Sequence, residues 1–69
     1  MPQYYVNRNV QANGDHEVHQ TTGCPYPADE PNRIYLGHFA NCHGAVTEAR
    51  KYYTQVNGCA YCAPDCHTQ

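Results

Sequence analysis

Two cysteines separated by two residues, Cys59-Ala60-Tyr61-Cys62, follow a chain that already carries His19 and Cys24 far upstream. A two-residue gap lets two thiolates from one tight turn face the same metal ion. His19 and Cys24, with four residues between them, have the look of the other half of such a site. Structural zinc sites are tetrahedral and draw on Cys and His in two close-spaced pairs that lie far apart in the sequence. The pattern therefore predicts a Zn2+ site at His19, Cys24, Cys59 and Cys62 that ties distant segments together.

Size explains why such a clamp is needed. The chain has 69 residues, enough for one domain spanning 1–69. Domains near this size bury only about 60% of the surface their unfolded chain exposes. The candidate core is thin: Val6, Val18, Ile34, Leu36, Phe39, Val46, Val56 and part of the tyrosine complement, with no Trp and a single Phe. Small scaffolds of this kind are usually held by a disulfide, a metal or a partner subunit. The cysteine count of five is odd, so a closed disulfide framework leaves one over. Met1-Pro2-Gln3-Tyr4-Tyr5 shows no basic region followed by an apolar run, and the expected compartment is the cytoplasm, where thiols are kept reduced. Clustered, reduced cysteines favour a metal over cystine. Export would favour a disulfide-stapled module instead.

Charge narrows the partners. The net charge is -2, and the four cations Arg8, Arg33, Arg50 and Lys51 are scattered. Nucleic-acid binders carry a basic face whose phosphate contacts supply much of their affinity. Neither that face nor a membrane-binding one is present, which leaves a protein as the expected partner. The seven tyrosines offer a stacking platform for bases or a peptide, but they are read mainly as substitutes for missing Leu and Ile in the core.

The chain order reads β-β-β-α with a cysteine-rich tail: an α+β domain in which a three-stranded antiparallel sheet packs on one helix. Residues 3–9 (QYYVNRN) and 15–20 (DHEVHQ) alternate as strands around Asn13-Gly14, a strong hairpin signal because both residues tolerate positive φ. Pro25, Pro27 and Pro31 make 21–31 a loop. A third strand at 33–38 (RIYLGH) places Ile34 and Leu36 on one face and exposes an edge open to a second subunit. A helix is expected over 42–56, with Asn41 as N-cap and Ala45, Val46, Ala49, Tyr53 and Val56 as its buried stripe. Asn57-Gly58 would end it, glycine taking the left-handed C′ conformation.

Competing chemistry is also visible. Cys66-His67, or His16, offers a replacement for one of the four ligands, and spacing leaves these alternatives open. His16-Glu17-Val18-His19 is one residue short of the helical HExxH of zinc proteases and lies on a strand, which excludes that reading. Thioredoxin-like exchange needs the CxxC to open a helix, whereas here the pair follows one. Cys42, where the helix begins, is either a small packing residue or a reactive thiol, with His38 and His43 beside it. A thiol-based redox sensor or enzyme centred on Cys42 or Cys66 is thus the alternative to a non-enzymatic metal-stabilised binding module.

The succession Tyr4-Tyr5-Val6-Asn7-Arg8-Asn9, Gly14-Asp15-His16-Glu17-Val18-His19, Cys24, Tyr35-Leu36-Gly37-His38-Phe39, an Ala/Val helix and Asn57-Gly58-Cys59-Ala60-Tyr61-Cys62 resembles a family of small uncharacterised bacterial proteins over nearly the whole chain. The looser layout over residues 18–64 is similar to small zinc modules such as the metal-binding domain of the Ada DNA-repair protein and those appended to secreted bacterial nucleases. That resemblance implies metal ligation by His19, Cys24, Cys59 and Cys62. Ada-type modules use four cysteines, so His19 departs from their pattern. Their methyl-accepting repair role finds no support in the weakly charged surface here.

Overall fold

The computed structural model describes residues 1–68. They form one α-helix and a four-stranded sheet: β1 (Gln3–Val10), β2 (His16–Gln20), β3 (Arg33–His38), α1 (Cys42–Ala49) and β4 (Val56–Gly58). Single 3-10 turns at Glu30–Asn32 and Pro64–Cys66 precede β3 and follow β4. The strand order is β3-β1-β2-β4. β1 is antiparallel to both β2 and β3, while β2 pairs in parallel with β4. The sheet is therefore mixed and one strand wider than the expected three antiparallel strands.

The hairpin turn works through local chemistry. Gly14 takes a φ of 90°, and the Asn13 side chain accepts a hydrogen bond from the Asp15 N–H at 3.0 Å. The pairing of β1 with β2 slips between Val6 and Val10, which absorbs the loop that is too long for a two-residue hairpin. β1 is one of the two inner strands, and alternation sends its successive side chains to opposite faces. Tyr4 and Val6 join Val18, Cys42, Ala45, Val46, Ala49 and Ala63 in the core beneath α1, with Ile34, Leu36 and Phe39 at its margin. Tyr5 and His19 are buried on the other face, where their rings stack with centroids 5.2 Å apart.

The helix begins as its sequence indicates, Asn41 Oδ1 accepting from the His43 N–H at 3.0 Å, but it stops at Ala49 rather than running to 56. Tyr52 and Tyr53 both donate back to the Ala49 carbonyl, closing the last turn. Beyond it the chain extends along the open edge of β2, where the His16 N–H donates to the Gln55 carbonyl at 3.0 Å. Tyr53 and Val56 still pack against the core, Tyr53 from just after the last turn and Val56 from β4. The Tyr53 ring lies flat on that of His16, 3.6 Å between centroids and 6° between planes. Aromatic and β-branched residues suit a pleated edge, and pairing β2 satisfies backbone groups that a longer helix would leave bare.

Gly58 consequently has a different role from the one expected. It is a strand residue, and its φ is not among the positive values found at Gly14, Gly23 and Gly37. What it supplies is space: a Cβ there would sit 2.6 Å from Cys66 Cβ and 2.8 Å from the Ala63 carbonyl oxygen. The tyrosines also divide differently. Tyr4 and Tyr5 are buried, whereas Tyr26, Tyr35, Tyr52 and Tyr61 are exposed.

Candidate metal centre

Three segments converge at one end of the sheet. β2 delivers His19, and the loop after it folds Cys24 back over the ring. β4 runs directly into Cys59, whose N–H donates to the Val18 carbonyl at 3.0 Å. The next turn, closed by Ala63 N–H to the Cys59 carbonyl at 2.9 Å, brings in Cys62. The donor atoms of His19, Cys24, Cys59 and Cys62 all lie within 4.8 Å of one another, so the set could hold a metal ion. His19 Nδ1 is 3.4 Å from Cys24 Sγ and 3.6 Å from Cys62 Sγ, and Cys24 Sγ is 3.7 Å from Cys59 Sγ.

Those separations can be compared with a tetrahedral ion. Metal–sulfur bonds of about 2.3 Å and a metal–nitrogen bond of about 2.0–2.1 Å put two sulfurs about 3.8 Å apart and a nitrogen about 3.6 Å from a sulfur. The three spacings agree with these values, so the residues present fit the ion. None of the three cysteines is in a disulfide.

The surroundings orient each donor. His19 Nε2–H donates to the Glu17 carboxylate at 3.1 Å, leaving the Nδ1 lone pair for the three sulfurs. A carboxylate behind a ligating imidazole fixes its tautomer and raises its basicity. Backbone N–H groups point at the sulfurs: Gln20 donates to Cys62 Sγ and Tyr61 to Cys59 Sγ, both at 3.4 Å. The Gln20 side chain adds a bond to the Cys62 carbonyl at 2.9 Å. The Cys24 loop is tethered in turn, Ala28 N–H donating to the Tyr5 hydroxyl and Arg33 Nε to the Ala28 carbonyl, each at 2.9 Å.

Burial governs the protonation of these ligands. Desolvation, assisted by the Arg33 charge, lowers the His19 pKa from 6.5 to about 4, keeping the ring in the neutral form that a metal requires. Desolvation also pushes the Cys59 and Cys62 thiols upward. A cation that takes these ligands must therefore displace thiol protons, which couples binding to pH.

The remaining candidates lie elsewhere. His16 Nδ1 donates to the Asn7 carbonyl at 2.9 Å, and His67 Nδ1 to that of Gly58 at 3.0 Å. Cys66 forms a disulfide with Cys42, 24 residues away. This corrects the expectation that the cysteines outside the cluster are free: the turns at Cys59–Cys62 and Pro64–Cys66 double the tail back across the start of α1. The odd cysteine count is thereby resolved into one disulfide and three thiols. Glu17 is a contributor that sequence reasoning passed over, although its place two residues before His19 on one strand face signals it. No family model, curated protein or solved structure matches the chain.

Proposed function

We propose that this protein is a small, non-enzymatic binding module stabilised by a structural Zn2+ on His19, Cys24, Cys59 and Cys62. The observation that carries the reading is the tetrahedral spacing of one imidazole nitrogen and three sulfurs contributed by three separate segments. Three thiolates and one imidazole suit zinc in both softness and geometry. A fourth protein ligand fills the position that a catalytic zinc keeps for water or substrate, so the ion's role is to hold the fold. Zinc sites of this type contribute on the order of 10–16 kcal/mol in isolated finger peptides, enough to decide the folding of so thin a core.

A protein partner is the interaction this surface favours. Tyr26 and Tyr61, each next to but one from a proposed ligand or between two of them, pair on the surface with ring centroids 4.7 Å apart and are more than half exposed. Exposed tyrosines are common anchors in protein interfaces. The cations do not compose a phosphate-binding face: Lys51 pairs with Glu48 at 3.1 Å, and Arg33 lies over the Tyr5 ring.

Metal analysis of freshly purified protein, followed by cobalt substitution, tests the reading. With the Cys42–Cys66 bond intact, one equivalent of zinc per chain, a cobalt spectrum of three thiolates, and a sharp fall in melting temperature with a chelator are expected. Absence of metal together with an unchanged melting temperature in chelator would overturn it.

A further inference from the structure

A second convergence of soft ligands, Cys42, His43 and Cys66, shares no residue with the first site. Cys42, at the first position of α1, is bonded to Cys66, and His43 Nδ1 lies 3.6 Å from Cys66 Sγ. The donor atoms of Cys42, His43 and Cys66 are all within 4.8 Å of one another. The nitrogen–sulfur spacing is again that of two ligands on one tetrahedral ion, about 3.6 Å. His43 is exposed, and its ring borders a surface cleft lined by Thr47, Arg50 and Asp65.

We infer that Cys42, His43 and Cys66 form a redox-gated second metal site, closed as the disulfide and opened by reduction to bind a thiophilic cation such as Zn2+. The bonded sulfurs have no thiolate to offer, so the oxidised form binds nothing there. Reduction by a small-molecule thiol, R–SH, proceeds by exchange. One R–S⁻ attacks a sulfur of the Cys42–Cys66 bond, forming a mixed disulfide Cys–S–S–R and freeing the other cysteine, and a second R–S⁻ attacks the R sulfur, forming R–S–S–R and freeing the first. Two R–SH are oxidised, and the two electrons and two protons end on the Cys42 and Cys66 thiols. Binding a divalent cation then releases those two protons to solvent.

Geometry allows the opening. The two Cα atoms are 6.2 Å apart, so rotation about χ1 moves the sulfurs from bonding distance to the roughly 3.8 Å of two ligands on one ion. The backbone N–H groups at the start of α1 favour a thiolate at Cys42. Two sulfurs and one nitrogen leave a fourth position for water or a further ligand, and two of the three donors, His43 and Cys66, line the cleft. Three protein ligands with an open position are the arrangement of metal sites that exchange a ligand. A reducing compartment would hold the pair open, and oxidation would expel the ion as the bond re-forms.

The full chain, titrated with Co2+ and Zn2+ before and after reduction, tests this. One equivalent bound when oxidised and two when reduced are expected, the second with two-thiolate cobalt absorption. His43→Ala, which leaves the disulfide and the core untouched, should lose the second equivalent and keep the first. Cys66→Ser is compared only with reduced wild type, so that neither chain has the bond. A single equivalent in both redox states, or a second that survives in His43→Ala and Cys66→Ser, would overturn the inference. Failure of the first site reads differently: none bound when oxidised and one, dependent on His43, when reduced.

Discussion

Replacing Gly58 with Ala should destabilise this protein far more than its sequence context suggests. The added Cβ would meet Cys66 Cβ at 2.6 Å, the Ala63 carbonyl oxygen at 2.8 Å and the Cys66 carbonyl carbon at 2.9 Å. Two of these are backbone atoms, so no side-chain rotation clears the clash. Relief by moving β4 is also blocked. Asn57 is buried and holds Asp15 through Nδ2 and the Thr68 N–H through Oδ1. On the other side, the Cys59 N–H is bonded to Val18. Overpacking of this kind costs about 1–3 kcal/mol, and anchoring on both sides places Gly58→Ala near the top, about 2–3 kcal/mol. For a chain of this length each kcal/mol lowers the melting temperature by about 4–8 °C, which predicts a fall of roughly 10–20 °C. Urea unfolding of the metal-loaded, oxidised protein measures it, with a cobalt titration to show whether displacement of Cys59 weakens binding. Gly58→Asn separates the reasons for glycine. A left-handed helix cap tolerates Asn better than Ala, whereas a shortage of space makes Asn at least as damaging. If Asn proves the milder substitution, or if Ala costs under about 0.5 kcal/mol, the argument from close approach fails.

Other expectations follow from the two sulfur-rich regions. Glu17→Ala removes the acceptor of the His19 Nε2–H and should weaken metal binding about 10–100-fold, read by competition with a chromophoric chelator. Opening the Cys42–Cys66 bond, which spans 24 residues, by a Cys42→Ala/Cys66→Ala double substitution should cost about 3.5 kcal/mol in denaturant unfolding under oxidising conditions. The folded His19 has its pKa lowered to about 4, so the unfolded chain binds the proton first as pH falls from 6.5. The contribution of His19 to the stability of the metal-free fold is therefore complete above about pH 6.5 and declines toward pH 4, by up to about 3 kcal/mol. Comparison with His19→Gln isolates that slope, and parallel curves for the two proteins would contradict it.

Local chemistry in the sequence located much of the site. Cys59 and Cys62 share a turn because two residues separate them, and the alternation of Glu17, Val18 and His19 along β2 sends the aliphatic side chain to the core and the imidazole to the opposite face. Asn41 marks the start of the helix, and Gly14 the turn between β1 and β2. These features act within a few residues, so side-chain spacing and backbone preference suffice to read them.

The end of α1 was beyond such reasoning. Apolar residues at 53 and 56 continue a helical stripe, yet the unfilled edge of β2 draws residues 55–58 into an extended course, and Gly58 serves the tail that crosses it. The partner of Cys42 was hidden for the same reason. Five cysteines can be paired or ligated in many ways, and only the fold of the tail across α1 brings Cys66 to Cys42 while leaving Cys24, Cys59 and Cys62 around His19. The sequence by itself determined which side chains can bind metal and where the chain can turn, because those depend on neighbours along the chain. Tertiary structure alone decided the fourth strand, the spacing at Gly58 and the division of sulfurs between a disulfide and a four-donor cluster, because each depends on atoms brought together from distant parts of the chain.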